Sequence, residues 1–139
     1  MNRAEFQRLA ELRLIEGKAL LDSGHYAGAY YLLGYAVECA LKACIAKRTN
    51  QYDFPPKRSV IEDVYSHDLI RLLKQADLSK DFEEARRADR ALDENWTVVK
   101  DWSEESRYSA AVQGYRANDF YAAISQPQHG VLVWLMRWW

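Results

Sequence analysis

Residues 26–48 restrict this chain more than any other stretch. Tyr26, Ala29, Tyr30, Leu33, Ala36, Val37, Ala40, Leu41 and Cys44 recur at helical spacing along one stripe. Tyr31, Leu32, Tyr35, Cys39, Ala43 and Ala46 occupy much of the opposite side. A helix apolar on most of its circumference has to be surrounded, so it is either the central rod of a bundle or shared with a second subunit. Its apolar run from Tyr26 to Val37 is broken by Glu38 and Lys42, and is too short to span a bilayer. Gly28 and Gly34 weaken a helix, which predicts close packing against both.

The flanking sequence supplies partners for this rod. Residues 3–22 carry Phe6, Leu9, Ala10, Leu12, Ile15 and Ala19 at helical spacing. Asn2 suits their N-cap, and Asp22-Ser23-Gly24 supplies a stop. So short a connection predicts two antiparallel neighbours. Residues 49–58, with Pro55 and Pro56, read as a loop. A third helix is expected after Ser66 or His67, and a fourth from a Ser79 cap to about Trp102. Residues 103–118 are weakly patterned. A last helical part starts near Asp119, breaks at Gln126–Gly130 and resumes to Trp139, where Trp134, Trp138 and Trp139 should dock. The expected fold is all-α, an up-and-down bundle of four to five helices. Residues 1–139 form one domain, with 119–139 a C-terminal helical extension.

Charge and cysteine content narrow the class. The 139 residues carry 19 Lys+Arg against 20 Asp+Glu, a net charge of −1, which argues against coating nucleic acid by bulk positive charge. Cys39 and Cys44, five apart in one helical run, are badly placed for a disulfide and read as small buried hydrophobes in a reducing cytoplasm. The opening residues lack a signal-peptide core. His25, His67 and His129 stand far apart, and neither cysteine has a histidine at ligand spacing, so no metal and no cofactor is expected.

Polar residues inside apolar contexts carry the candidate chemistry. Glu38 precedes Lys42 by one turn, the favourable order for a helical pair, and either alone would be costly to bury. The pair reads as a salt bridge at a partly exposed edge or as part of a polar pocket for a nucleotide or RNA phosphate. The segment from Asn95 to Ser109 is denser: Trp96, Trp102 and Tyr108 offer ring faces to a base, and Arg107 a fork to a phosphate. Against that, Trp96 and Trp102 at helical spacing read first as core residues, and Arg107 also suits capping carbonyls or pairing with Glu38. His67 reads as an N-cap or as a general acid or base.

These pieces together resemble the HEPN domain. The matching blocks are Leu20-Leu21-x-x-Gly24-x-Tyr26-x-x-Ala29-Tyr30, Ala36-Val37-Glu38-x-Ala40-Leu41-Lys42-Ala43, His67-Asp68-Leu69-x-x-Leu72 and Ser106-Arg107-Tyr108, spanning roughly residues 8–110. The resemblance implies an up-and-down helical bundle that dimerises. It also implies kinship with RNase toxins, with partners of minimal nucleotidyltransferases in toxin–antitoxin pairs, and with non-catalytic nucleotide- or RNA-binding modules.

One departure qualifies that kinship. RNase members carry an Arg followed within a few residues by a His, whereas Arg107 is followed by Tyr-Ser-Ala-Ala-Val-Gln and the next histidine is His129. Catalysis is therefore either absent or assembled from distant residues, with His67 and Arg107 as the candidates. The expected ligand-binding set is Glu38, Lys42, His67, Arg107 and Tyr108. The expectation is a cytoplasmic homodimer, off the membrane, that takes a nucleotide, RNA, or a protein partner such as a nucleotidyltransferase. Its alternatives are a non-catalytic scaffold or antitoxin-like dimer and a ribonuclease with a rearranged site.

Overall fold

The computed structural model describes residues 1–52 and 65–139. Among them the chain is all helical, with seven α-helices, one 3-10 helix and no strand. Helix α1 spans Arg3–Asp22 and α2 spans Tyr26–Tyr52. Four shorter helices follow: α3 Leu69–Gln75, α4 Ser79–Ala88, α5 Arg90–Val99 and α6 Gly114–Ser125, with a 3-10 helix Glu104–Tyr108 between α5 and α6. Helix α7, Val131–Leu135, ends the fold.

The first hairpin forms for the reasons its sequence implies. Asn2 accepts from the Glu5 N–H while Glu5 accepts from the Asn2 N–H, a reciprocal capping box. At the other end Gly24 adopts φ 77°, and the His25 N–H returns to the Leu20 carbonyl at 2.8 Å. The chain reverses there and lays α2 along α1. The approach is close because Gly17 faces Leu33, where a Cβ would stand 2.8 Å from the leucine side chain.

Helix α2 is the rod that its composition demands. It packs against α1, α3, the 3-10 helix, α6 and α7. By length and hydropathy alone Tyr26–Thr49 could cross a membrane, but 72% of its most apolar window is buried inside the fold. Its packing contributes Ala29, Leu33, Val37, Ala40 and Leu41 to the core. Cys39 and Cys44 are free and buried, and burial pushes both thiols up to about 12. The Cys44 thiol lies 3.8 Å from the Leu135 carbonyl as its donor.

Several expected boundaries move. Helix α2 continues through residues 49–52, and the rest of the expected loop, 53–58 with both prolines, lies outside the described residues. The expected helix from 79 to 102 is two helices, because Asp89 ends α4 in an extended conformation and caps α5 by accepting from the Leu92 N–H. Ser79 is not the α4 cap; Leu78 stands there without a side-chain bond. The last helical part begins at Gly114 instead of Asp119.

Asp89 also ties down the segment leading to α7. Its Oδ2 lies 2.6 Å from His129 Nδ1, and Asn95 donates to the His129 carbonyl at 2.8 Å. The His129 bond holds the Asp89 carboxyl below the ordinary carboxylate range. A group with a depressed folded pKa adds stability that is present above its unfolded pKa and fades as pH falls through the folded one. Asp89→Asn keeps a good capping side chain but loses the charge. The gap in melting temperature between wild type and Asp89→Asn should therefore be widest near neutrality and shrink below pH 4.

Candidate functional site

The polar site grows from Glu38, which is wholly buried in the middle of α2. A carboxylate there needs partners. One turn on, the Lys42 ammonium donates to Glu38 Oε1 at 2.8 Å. The same oxygen lies 2.9 Å from Nδ1 of His67. A carboxylate oxygen accepts, so Nδ1 carries the proton and Nε2 is the ring's remaining nitrogen. Glu104 brings a second carboxylate to 3.9 Å from the same ring. Glu38 Oε2 is buried with no hydrogen-bond partner among the described residues.

Local structure fixes each of these groups. Glu38 and Lys42 share one face of α2. His67 is held just outside α3, whose N-cap is Asp68, accepting from the Arg71 N–H at 3.0 Å. The histidine is thus not the cap; its ring is turned to Glu38. Glu104 opens the 3-10 helix, started by Ser103, which accepts from the Glu105 N–H. That helix lies against α2, so one face of the rod meets both flanking segments.

Beside His67 lies a cleft of about 440 Å³, lined by Ser66, His67, Asp68, Ile70, Lys100, Asp101, Trp102, Ser103 and Glu104. Trp102 forms its inner edge. The indole rests on α2 at Gly34, where any Cβ would collide with its Nε1 edge, and stacks on Tyr31 at 6.2 Å. Its Nε1 is a second buried polar atom without a partner among the described residues. The Gly34 packing is therefore the close approach that this glycine predicts.

Arg107 and Tyr108 end the 3-10 helix that Glu104 opens, outside the lining of the cleft. Arg107 donates to the Tyr108 hydroxyl at 2.9 Å and stands over its ring at 4.8 Å. That bond, with a further contribution from Tyr31, raises the guanidinium pKa. Tyr108 is 75% exposed. Along the same face of α2, Tyr31 stacks on Tyr35 at 6.2 Å, and Arg13 stands over Tyr35 at 6.0 Å. An arginine thus flanks each end of an aromatic row.

The expected set divides accordingly. Glu38, Lys42 and His67 converge on one oxygen. Arg107 and Tyr108 belong to the adjoining 3-10 helix, and Arg107 bonds Tyr108, not Glu38. Trp96 is away from the cleft: it packs edge-on against Phe82 at 5.0 Å, which in turn meets Trp134 at 4.6 Å. Lys100, Asp101 and Glu104 enter the site unforeseen. Their sequence signal is their position in the chemically dense segment around Trp102. Among the described residues, no group of three His, Cys, Asp or Glu side chains is arranged to hold a metal ion.

A helical bundle whose central rod buries a carboxylate beneath a histidine and a polar cleft defines an all-α domain with one concentrated polar site. The chain belongs to the HEPN family: the HEPN domain model matches residues 4–126. HEPN domains are in general nucleotide- or RNA-associated and related to toxins or defence. No curated protein and no solved structure matched the chain in the same comparisons.

Proposed function

We propose that this chain is a nucleotide- or RNA-binding HEPN protein of a toxin–antitoxin or stress/defence system, without the Arg–His ribonuclease motif. One observation carries the reading: Glu38, Lys42 and His67 meet beside a polar cleft, and Arg107 and Tyr108 lie one 3-10 turn beyond Glu104. In this reading Arg107 takes a phosphate, as a forked donor suits, and Tyr108, which accepts from it, holds the guanidinium in place. Lys42 neutralises Glu38, and together they hold His67 at the cleft. The protein works as a cytoplasmic homodimer, with a nucleotidyltransferase or similar protein as a candidate partner.

Arg107→Ala, an exposed change, is expected to weaken binding of a short RNA or a nucleotide about tenfold, as loss of one charge-assisted contact does. Unchanged binding in calorimetry with the fold intact would refute the assignment. Incubation with total RNA tests the ribonuclease alternative, which requires cleavage that His67→Ala abolishes.

A non-catalytic interaction dimer is the second reading. It is favoured by the outer face of α1, where Leu12 and Ile15 are 46% and 67% exposed. A stoichiometric protein partner, co-purifying without nucleic-acid absorbance, would support it over the first. Light scattering on the eluting peak tests the dimer that both readings share.

A further inference from the structure

The cleft beside His67 carries the wrong sign of charge for a phosphate. Asp68, Asp101 and Glu104 line it against Lys100 and the His67 imidazole, and the Lys42 ammonium below is already given to Glu38. Carboxylates only accept hydrogen bonds, so this lining suits a ligand edge rich in donors. Arg107, the cation suited to a phosphate, stands outside the cleft.

We propose that the cleft takes the base of a nucleotide, and that this base is guanine. The proposal rests on the nucleotide reading above and narrows it. The pairing edge of guanine presents O6, N1–H and the N2 amino group side by side, one acceptor followed by two donors. An ammonium next to a carboxylate is the complement of that order. Lys100 and Asp101 supply it from successive positions after α5. Both line the cleft, and neither forms a side-chain hydrogen bond or ion pair among the described residues. Adenine and cytosine each set their amino group beside a ring acceptor, whose lone pair would face the second carboxylate oxygen. Uracil offers one N–H between two carbonyls.

Size and surroundings agree. About 440 Å³ lies within the range of small-ligand sites. Ile70, 52% exposed, and the edge of Trp102 give the cleft an apolar wall for a planar ring. Glu104 and Arg107 are three apart on a 3-10 helix, where such positions nearly eclipse. A base seated beside Glu104 therefore directs its sugar and phosphate along that helix toward Arg107.

Calorimetric titration of the full chain with GMP, IMP, AMP, CMP and UMP tests the assignment. GMP is expected to bind about tenfold more tightly than IMP, which differs only by lacking the N2 amino group, and at least as far above the other three. Asp101→Asn should bring GMP down to the IMP level, and Lys100→Ala should weaken both. Asp101 is exposed and Lys100 half-buried at a helix end, so circular dichroism and melting should show both variants folded. Equal affinity for all five nucleotides, lost in Arg107→Ala, would overturn the guanine assignment and leave the nucleotide reading standing. A GMP preference that survives Asp101→Asn would overturn the role given to Asp101. Binding of no nucleotide and no RNA would overturn both readings.

Discussion

Lys42→Ala is expected to destabilise the protein by about 3–5 kcal/mol, the range for removing one partner of a buried ion pair. The reason is what remains. Glu38 is fully buried, its Oε2 already lacks a partner among the described residues, and Lys42 supplies the nearest full positive charge. After truncation only the His67 ring, among the described residues, would face Glu38 Oε1. Glu38→Gln keeps the shape and removes the charge, so it should cost less than Lys42→Ala. The double change Glu38→Gln/Lys42→Met should recover much of the loss, because no unpaired charge is then left in the core. Urea unfolding of Glu38→Gln, Lys42→Met and the double variant measures the coupling. Independent, additive losses would mean that the two side chains do not act as a unit.

Trp134→Ala should rank with it, at about 3–5 kcal/mol, as large aromatic truncations in cores do. Trp134 is 5% exposed in the short helix α7. Its ring meets Phe82 of α4 at 4.6 Å and Trp138 at 5.6 Å, and Phe82 passes the contact on to Trp96 of α5. Removing it leaves a cavity where α4, α5 and α7 meet. The Arg3 guanidinium, which donates to the Trp139 carbonyl, would then hold a loosened segment. Thermal unfolding should show a single early transition if α7 is part of the core. An unchanged main transition would show that α7 folds onto a finished bundle.

Much of this fold could be read from the chain, and the reasons are local. Asn2, Glu5 and Gly24 act through backbone groups at most five residues away, so the first hairpin needs no tertiary knowledge. The apolar circumference of α2 likewise announces a buried rod. The break at Asp89 carries no sequence signal, because Ala88-Asp89-Arg90 contains neither proline nor glycine. One aspartate ends one helix and caps the next while also reaching His129, 40 residues on. Gly114 gives no sign of a helix start, because glycine is a poor helix former. Its place follows from Tyr26, whose ring would lie 3.0 Å from a Cβ there.

The site was legible in part for the same reason. Glu38 and Lys42 announce one another by helical spacing, but His67 joins them across 29 residues and through a ring nitrogen that no pattern specifies. Arg107 stands out in the sequence as a polar group in an aromatic setting, and its hydrogen bond goes to its neighbour in sequence, Tyr108. Lys100 and Asp101 stand beside the cleft only because α5 ends at Val99 and exposes the residues after it.

The two cysteines give the fold a built-in clock. With both thiols held near 12, almost no reactive thiolate exists in the native state at neutral pH. An alkylating reagent must wait for the chain to open, so the rate of modification counts opening events and not chemical reactivity. The two positions sample different events. Cys44 lines a cleft with Lys47, Arg48 and Trp138 and donates to the Leu135 carbonyl, so a small local opening reaches it, whereas Cys39 shares the rod with Glu38 and requires the bundle itself to part. Mass spectrometry of which cysteine is modified first would rank those two openings in the unperturbed protein.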